Sequence, residues 1–265
     1  MNRITATLER LKSENRKALV TYLVNGDPVP DVTLPAMHAM VEGGADIIEV
    51  GVPFSDPMAE GPTIQRAHER ALVHGISLKG TMELVAQFRQ TNQHTPIVLM
   101  GYANPVVRMG YAEFAKQACA AGVDGLLTVD LPPEESADLD KELQAVNIHN
   151  IFLIAPTTSS ARIAHVTANA SGFIYYVSLK GVTGAANIDV ESVAEKVDAI
   201  RATTGLPVMV GFGIKDGSSA KAASHNADGA VVGSALVSLM AEGDAAVITK
   251  RVGECVAEIR QGLDA

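Results

Sequence analysis

Only two cysteines, Cys119 and Cys255, occur in the 265 residues, far apart and within helix-like segments. That scarcity argues against a disulfide framework and against redox chemistry, and it fits reduced thiols in a cytoplasmic setting. No window approaches the roughly 20 consecutive apolar residues that span a bilayer. The opening MNRITATLERLKSENRK has basic residues without an apolar stretch behind them, so a soluble, unexported chain is expected. Runs of five or more Lys and Arg are also missing, and the net charge is -9 with a pI near 5.2. The field of such a protein repels nucleic acid and anionic membranes. Metal-ligand spacing is absent: His38, His68, His74, His94, His149, His165 and His225 show none with Cys or with a second His. Most of them read as surface residues of helices or loops. Neither a Walker A loop nor a dinucleotide fingerprint is present, and no GxSxG elbow offers a serine nucleophile.

What is present is a large aliphatic core. At 47% hydrophobic and 19% charged, the composition is that of a globular chain, and the length is close to the roughly 250 residues of one (β/α)8 barrel. Apolar runs begin near residues 18, 46, 96, 125, 151, 173, 207 and 229, among them ALVTYLV, DIIEVG, PIVLMG and GAVVGSA. Most end on Gly, Pro, Asn or Asp, and the segments between them have helical character, as in YAEFAKQACAAG and ESVAEKVDAIRATTG. Continuous apolar strands alternating with amphipathic helices imply parallel strands covered by helices. Eight units predict an α/β protein, a single TIM-barrel domain over 1–265. An extra N-terminal helix is expected from about Thr5 to Asn15, and a closing helix from about Ala246 to Gln261.

In such a barrel the chemistry belongs at the C-terminal ends of the strands. There, in ADIIEVGVPFSDPMAEGP, stands Glu49, an ionisable residue within an apolar strand. Alternation puts Ile47 and Glu49 on one face, and the barrel mouth is a cheaper place for a carboxylate than the dry helical shell. A structural carboxylate held by buried donors is one reading. A general acid–base with a pKa raised by desolvation is the other, and position at a strand end favours it. The loop that follows, stiffened by Pro53, Pro57 and Pro62, is about ten residues long against a usual two to six, and long loops are usually functional. Glu60 there could serve only the dipole of the helix beginning at Pro62. In FIYYVSLKG, Tyr175 shares a face with Phe173 and Val177, and Tyr176 lies on the other.

Three glycine-bearing loops, KGVTGAAN, GFGIKDG and VGSALV, follow the last three runs. Glycine allows backbone N–H groups to approach an anion closely, and a helix starting at Ser234 would aim its positive end at the same place. Together the loops predict a phosphate site of the kind built after strands seven and eight.

IEVGVPFSDPMAEGPTIQ, LMGYANP, DLPPEES, SLKGVTGA and VGFGI, in this order, resemble the tryptophan synthase alpha chain family over essentially the whole chain. The resemblance implies retro-aldol cleavage of indole-3-glycerol phosphate to indole and glyceraldehyde 3-phosphate, with no metal or organic cofactor in this chain. It makes Glu49 the general acid–base and Glu60 the second carboxylate, opposite the indole nitrogen, with Tyr175 in support. It puts Gly184, Phe212, Gly213, Gly233 and Ser234 around the phosphate, and Tyr22, Ile64, Met100 and Leu127 around the indole. It also implies a beta chain carrying pyridoxal phosphate, in an alpha-beta-beta-alpha complex, near Asp56, Pro57, Asn104 and Pro132. The sequence departs from the family pattern at Glu60, where aspartate is usual, at Tyr22, where phenylalanine is common, and at Leu179, a position at which the family also uses arginine. The extra methylene of Glu60 moves its carboxylate by roughly 1.5 Å, and misplacements of about 1 Å can cost on the order of 100-fold in rate. Two other readings stand beside the lyase: a noncatalytic ligand-binding subunit that activates a beta chain, and another phosphate-binding barrel enzyme such as a sugar-phosphate isomerase.

Overall fold

A computed structural model describes residues 1–177, 190–211 and 213–265. Gly184 and Phe212, like Leu179, lie outside the described residues. Strands β1 (Ala18–Val24), β2 (Ile47–Gly51), β3 (Ile97–Gly101), β4 (Gly125–Thr128), β5 (His149–Asn150), β6 (Phe152–Ile154), β7 (Ile174–Val177), β8 (Val208–Gly211) and β9 (Gly229–Val232) are hydrogen-bonded in the order β5-β4-β3-β2-β1-β9-β8-β7-β6. Every pairing is parallel. The two ends of that order are separated by Ile151 alone: β5 pairs with β4, and β6 pairs with β7. The sheet thereby closes into a barrel, and the eighth-part repeat expected from the sequence yields nine short strands. The fifth run is cut in two because it changes partner midway along its length.

Side-chain alternation sorts the strand residues into two cores. Val20, Ile47, Val98, Leu127, Phe173, Met209 and Val231 fill the barrel interior. Leu19, Ile48, Leu99, Leu126, Ile174 and Val210 face the helices instead. The helix Arg3–Ser13 starts and ends two residues earlier than expected and closes the bottom of the barrel with Ile4, Leu8 and Leu11. These fall at i, i+4 and i+7, one helical face, and each contributes about 1.5–3 kcal/mol on burial. Asn2 caps this helix by accepting from the Ile4 N–H at 2.8 Å, and donates to the carbonyls of Asp124 and Asn147 at 2.9 and 2.8 Å. The closing helix spans Ala245–Asp264.

A local device recurs at that bottom face. Asp46, Asp124 and Asp228 each stand just ahead of a strand and bond one residue of a neighbouring strand twice. Their N–H groups donate to the carbonyls of Leu19, Ile97 and Val208, each at 2.9 Å. Their carboxylates accept from the N–H groups of the same three residues at 2.9, 2.8 and 2.8 Å. An arginine completes each set: Arg260 on Asp46, Arg89 on Asp124 and Arg201 on Asp228. Strand register is thus pinned at the end opposite to the loops that carry the unusual acids.

Candidate active site

Glycine at the C-terminal end of two strands makes room for two tyrosines. A Cβ at Gly51 would collide with the Tyr22 hydroxyl and lie 2.9 Å from its Cζ. A Cβ at Gly211 would collide with the Tyr175 hydroxyl in the same way. Tyr22 is the register partner of Glu49, and Tyr175 that of Met209. Phe173 lies in the inner core and Tyr175 packs against it, while Tyr176 belongs to the outer one.

Glu49 is fully buried, and among the described residues neither of its oxygens has a hydrogen-bond partner. A carboxylate without donors is strongly disfavoured in such a place, so burial pushes its pKa up to about 8. At neutral pH the group carries a proton. Its charge, when formed, bears on both Tyr22 and Tyr175, whose hydroxyls burial already holds above the usual phenol range.

Glu60 lies at the end of the loop between β2 and the helix Pro62–Val73, with Gly61 as the helix N-cap and Pro62 in its first turn. Its side chain is 4% exposed and accepts a hydrogen bond at Oε2 from the Tyr102 hydroxyl. Burial raises its pKa, and the Tyr102 hydrogen bond opposes that rise. Tyr102 does more for the loop: its oxygen accepts from the Ala59 N–H at 2.9 Å and its ring stacks on Phe54 at 4.7 Å between centroids. Gln65 donates to the Glu60 carbonyl at 2.9 Å. Asp130, after β4, accepts from the Ala103 N–H at 2.7 Å and so ties the third and fourth loops together.

His68 is an exception among histidines most of which read from the sequence as surface residues. It is 1% exposed, on the same helical stripe as Ile64, Ala67 and Ala71, which line the cluster around Tyr22. Those positions run i, i+3, i+4 and i+7, so the periodicity of PTIQRAHERAL already placed His68 on the buried side. Its Nδ1 accepts from the Phe54 N–H at 3.1 Å. Burial lowers its pKa to about 4, which leaves the ring neutral at physiological pH. Tyr102, within LMGYANP, has no mark of its own in the sequence, since a tyrosine one residue beyond a strand carries no pattern.

The remaining sequence-predicted positions fall as follows. Tyr22, Ile64 and Met100 share one apolar cluster, and Met100 also packs on the inner core that contains Leu127, its register partner across β3 and β4. Gly233 caps the helix Ser234–Met240 at the top of β9, and the exposed Gly213, with φ of 70°, follows β8 on the same side. Asp56 and Pro132 are exposed and Pro57 is half-buried, on the loops that follow β2 and β4, whereas Asn104, also exposed, is not a loop residue but the second residue of the helix Ala103–Met109 that begins directly after β3. Met58, between Pro57 and Glu60, is 78% exposed.

Known proteins bear on this arrangement. The family described as "Tryptophan synthase alpha chain" matches residues 8–263. The tryptophan synthase alpha chain of Thioalkalivibrio sulfidiphilus is 57% identical over 266 residues, covering 100% of both chains. That of Laribacter hongkongensis is 55% identical, again over 100% of each. The crystal structure of tryptophan synthase subunit alpha from Legionella pneumophila superposes with a TM-score of 0.91 at 42% identity, covering 100% of this chain and 99% of that one. A closed parallel barrel that buries Glu49 in its second strand, matched end to end by these relatives, belongs to the tryptophan synthase alpha chain family, the lyases that cleave indole-3-glycerol phosphate to indole and glyceraldehyde 3-phosphate.

Proposed function

We propose that Glu49 is the general acid–base of this cleavage and Glu60 its electrostatic partner. The observation that carries the reading is the bare carboxyl of Glu49, fully buried, without a partner among the described residues, and protonated near neutrality. Such a group is poised to deliver its proton to indole C3, which breaks the aromaticity and leaves a cationic C=N at the indole nitrogen. Glu60 faces that nitrogen as a carboxylate and offsets the charge. Glu49, now ionised, accepts the proton of the glycerol hydroxyl next to the bond that breaks. The C–C electron pair returns to the ring, the cation is discharged, and indole and the aldehyde separate. One proton has moved onto carbon and another has come back to Glu49, so the residue ends as it began. Tyr175 borders Glu49 and packs the substrate against it.

Tyr22, Ile64, Met100 and Leu127 form the indole pocket. Gly213, Gly233 and Ser234, with Gly184 and Phe212, hold the phosphate, a role supported by the backbone N–H groups at the start of the helix Ser234–Met240. The chain works as one domain over 1–265, in the cytoplasm, with no cofactor of its own. Its partner is a tryptophan synthase beta chain in an alpha-beta-beta-alpha tetramer, where the pyridoxal phosphate resides. Asp56, Pro57, Asn104 and Pro132 lie toward that partner, a role supported by their place just beyond the C-terminal ends of three adjacent strands, β2, β3 and β4.

The test is indole release from indole-3-glycerol phosphate by wild type, Glu49→Gln and Glu60→Ala, with and without a beta chain. Both variants are expected to lose at least about 100-fold. Wild-type rates no better than those of Glu49→Gln under both conditions would refute the assignment of Glu49.

A further inference from the structure

Glu60 is one methylene longer than aspartate, and two groups flank its carboxylate. Tyr102 takes Oε2. On the other side stands the imidazole of His68, with Nε2 at 4.0 Å from Oε1. The same Nε2 lies 3.5 Å from the Tyr22 hydroxyl oxygen. Which ring nitrogen bears the proton follows from the backbone: the Phe54 N–H is a donor aimed at Nδ1, so Nδ1 must present its lone pair. In the neutral ring the proton is then on Nε2, and it points into the gap between Tyr22 and Glu60.

We propose that His68 is the positioning residue for Glu60, a neutral imidazole locked by the Phe54 N–H so that its Nε2–H steers Oε1 of the longer carboxylate. The inference rests on the reading of Glu60 as the second carboxylate. Oε1 closes to hydrogen-bond distance by moving about 1 Å, the scale on which catalytic hydrogen bonds tighten once substrate is bound. Burial lowers the histidine pKa to about 4, consistent with an oriented dipole and not a counter-ion. His68 comes from the helix Pro62–Val73 and Tyr102 from the residue after β3, so the carboxylate is set between two separate elements. A full positive charge beside Glu60 would compete with the indole nitrogen for it; a neutral donor orients the carboxylate and leaves its charge for the substrate.

Two substitutions separate the two ends of the ring. His68→Asn retains an acceptor near Nδ1 for the Phe54 N–H but does not reach Glu60. His68→Gln carries an amide N–H out to the Nε2 position and gives up the short acceptor. Indole release is measured for both with the beta chain present, with Glu60→Ala and Glu60→Ala/His68→Asn alongside, and 15N shifts of the His68 ring record its tautomer in the wild type. The expected result is a fall in kcat of roughly 10- to 100-fold for His68→Asn at little change in KM, with recovery of most of it by His68→Gln. His68→Asn should cost nothing further once Glu60 is alanine. Full activity in His68→Asn with activity lost in Glu60→Ala would overturn the role of His68 alone, as would the reverse rescue order or an Nδ1–H tautomer. Full activity in Glu60→Ala would bring down the assignment of Glu60, and this inference with it.

Discussion

Tyr22 of β1 reaches diagonally past its partner Glu49 to Gly51 of β2, and the tyrosine hydroxyl occupies the space that a Cβ on Gly51 would need. The glycine is therefore a condition for the tyrosine. Gly51→Ala forces the ring of Tyr22 out of its place beside Glu49 and costs about 1–3 kcal/mol as an overpacked core site. Urea unfolding should show that loss, and indole release should fall with it. In a Tyr22→Phe background the penalty shrinks without vanishing, because Cζ stays at 2.9 Å from the new methyl.

Glu49 predicts a pH dependence with a definite sign. Its pKa in the folded chain is about 8 against 4.5 for the free side chain, so between these values the unfolded chain has released a proton that the folded chain retains. Stability from this group is fully present below about pH 4.5, declines as pH rises, and is gone above about pH 8. Glu49→Gln removes that slope. Chemical denaturation of the pair at pH 5.5 and 8.5 should find the variant gaining on the wild type by a few kcal/mol at the higher pH. No relative gain would mean that Glu49 ionises in the fold near its ordinary value.

Catalysis should follow the same ionisation. Because the reaction starts from protonated Glu49, kcat/KM is expected to decline above about pH 8, the value of the free enzyme's acid. A flat profile from pH 7 to 10 would be inconsistent with Glu49 as the first proton donor.

Tyr102→Phe keeps the stacking on Phe54 and removes the hydrogen bonds to Glu60 and to the Ala59 N–H. Glu60 loses the interaction that holds its pKa down, and the loop loses an anchor. A drop in kcat of about 10-fold is expected, with the Glu60 pKa displaced upward, measurable by carboxyl 13C titration.

At the far end of the barrel, Asp124 joins Arg89 and Arg3, each at 2.8 Å, and also accepts from the Ile97 N–H. Arg89 is buried enough that its pKa is pulled down to about 10, with Asp124 opposing the shift. Asp124→Ala leaves that guanidinium without its carboxylate and should cost about 3–5 kcal/mol. Thermal unfolding is expected to shift downward, while the kcat of the folded variant stays near wild type, since this face carries no part of the mouth.

The alternation of apolar runs and amphipathic segments was sufficient to call for parallel strands covered by helices, and eight such units in about 250 residues favoured a closed barrel over an open sheet. Strict side-chain alternation likewise put Glu49 on one face with Ile47, and Tyr175 on one face with Phe173, while the inward direction followed for Glu49 from the cost of burying a carboxylate in the helical shell and for Tyr175 only from the fold. Those relations are local, and local chemistry is legible in a linear chain. The tertiary structure decided what depends on contacts between distant residues. Ile151 divides one strand between two partners so that the sheet closes, and no periodicity marks that change. Tyr102 and His68, 42 and 8 positions from Glu60, converge on its carboxylate only because the ends of β3 and the helix after β2 meet at the barrel mouth. The absence of a hydrogen-bond partner on Glu49 among the described residues, and its raised pKa, are properties of what is folded around it: a sequence can supply a carboxylate, but only packing can withhold its donors.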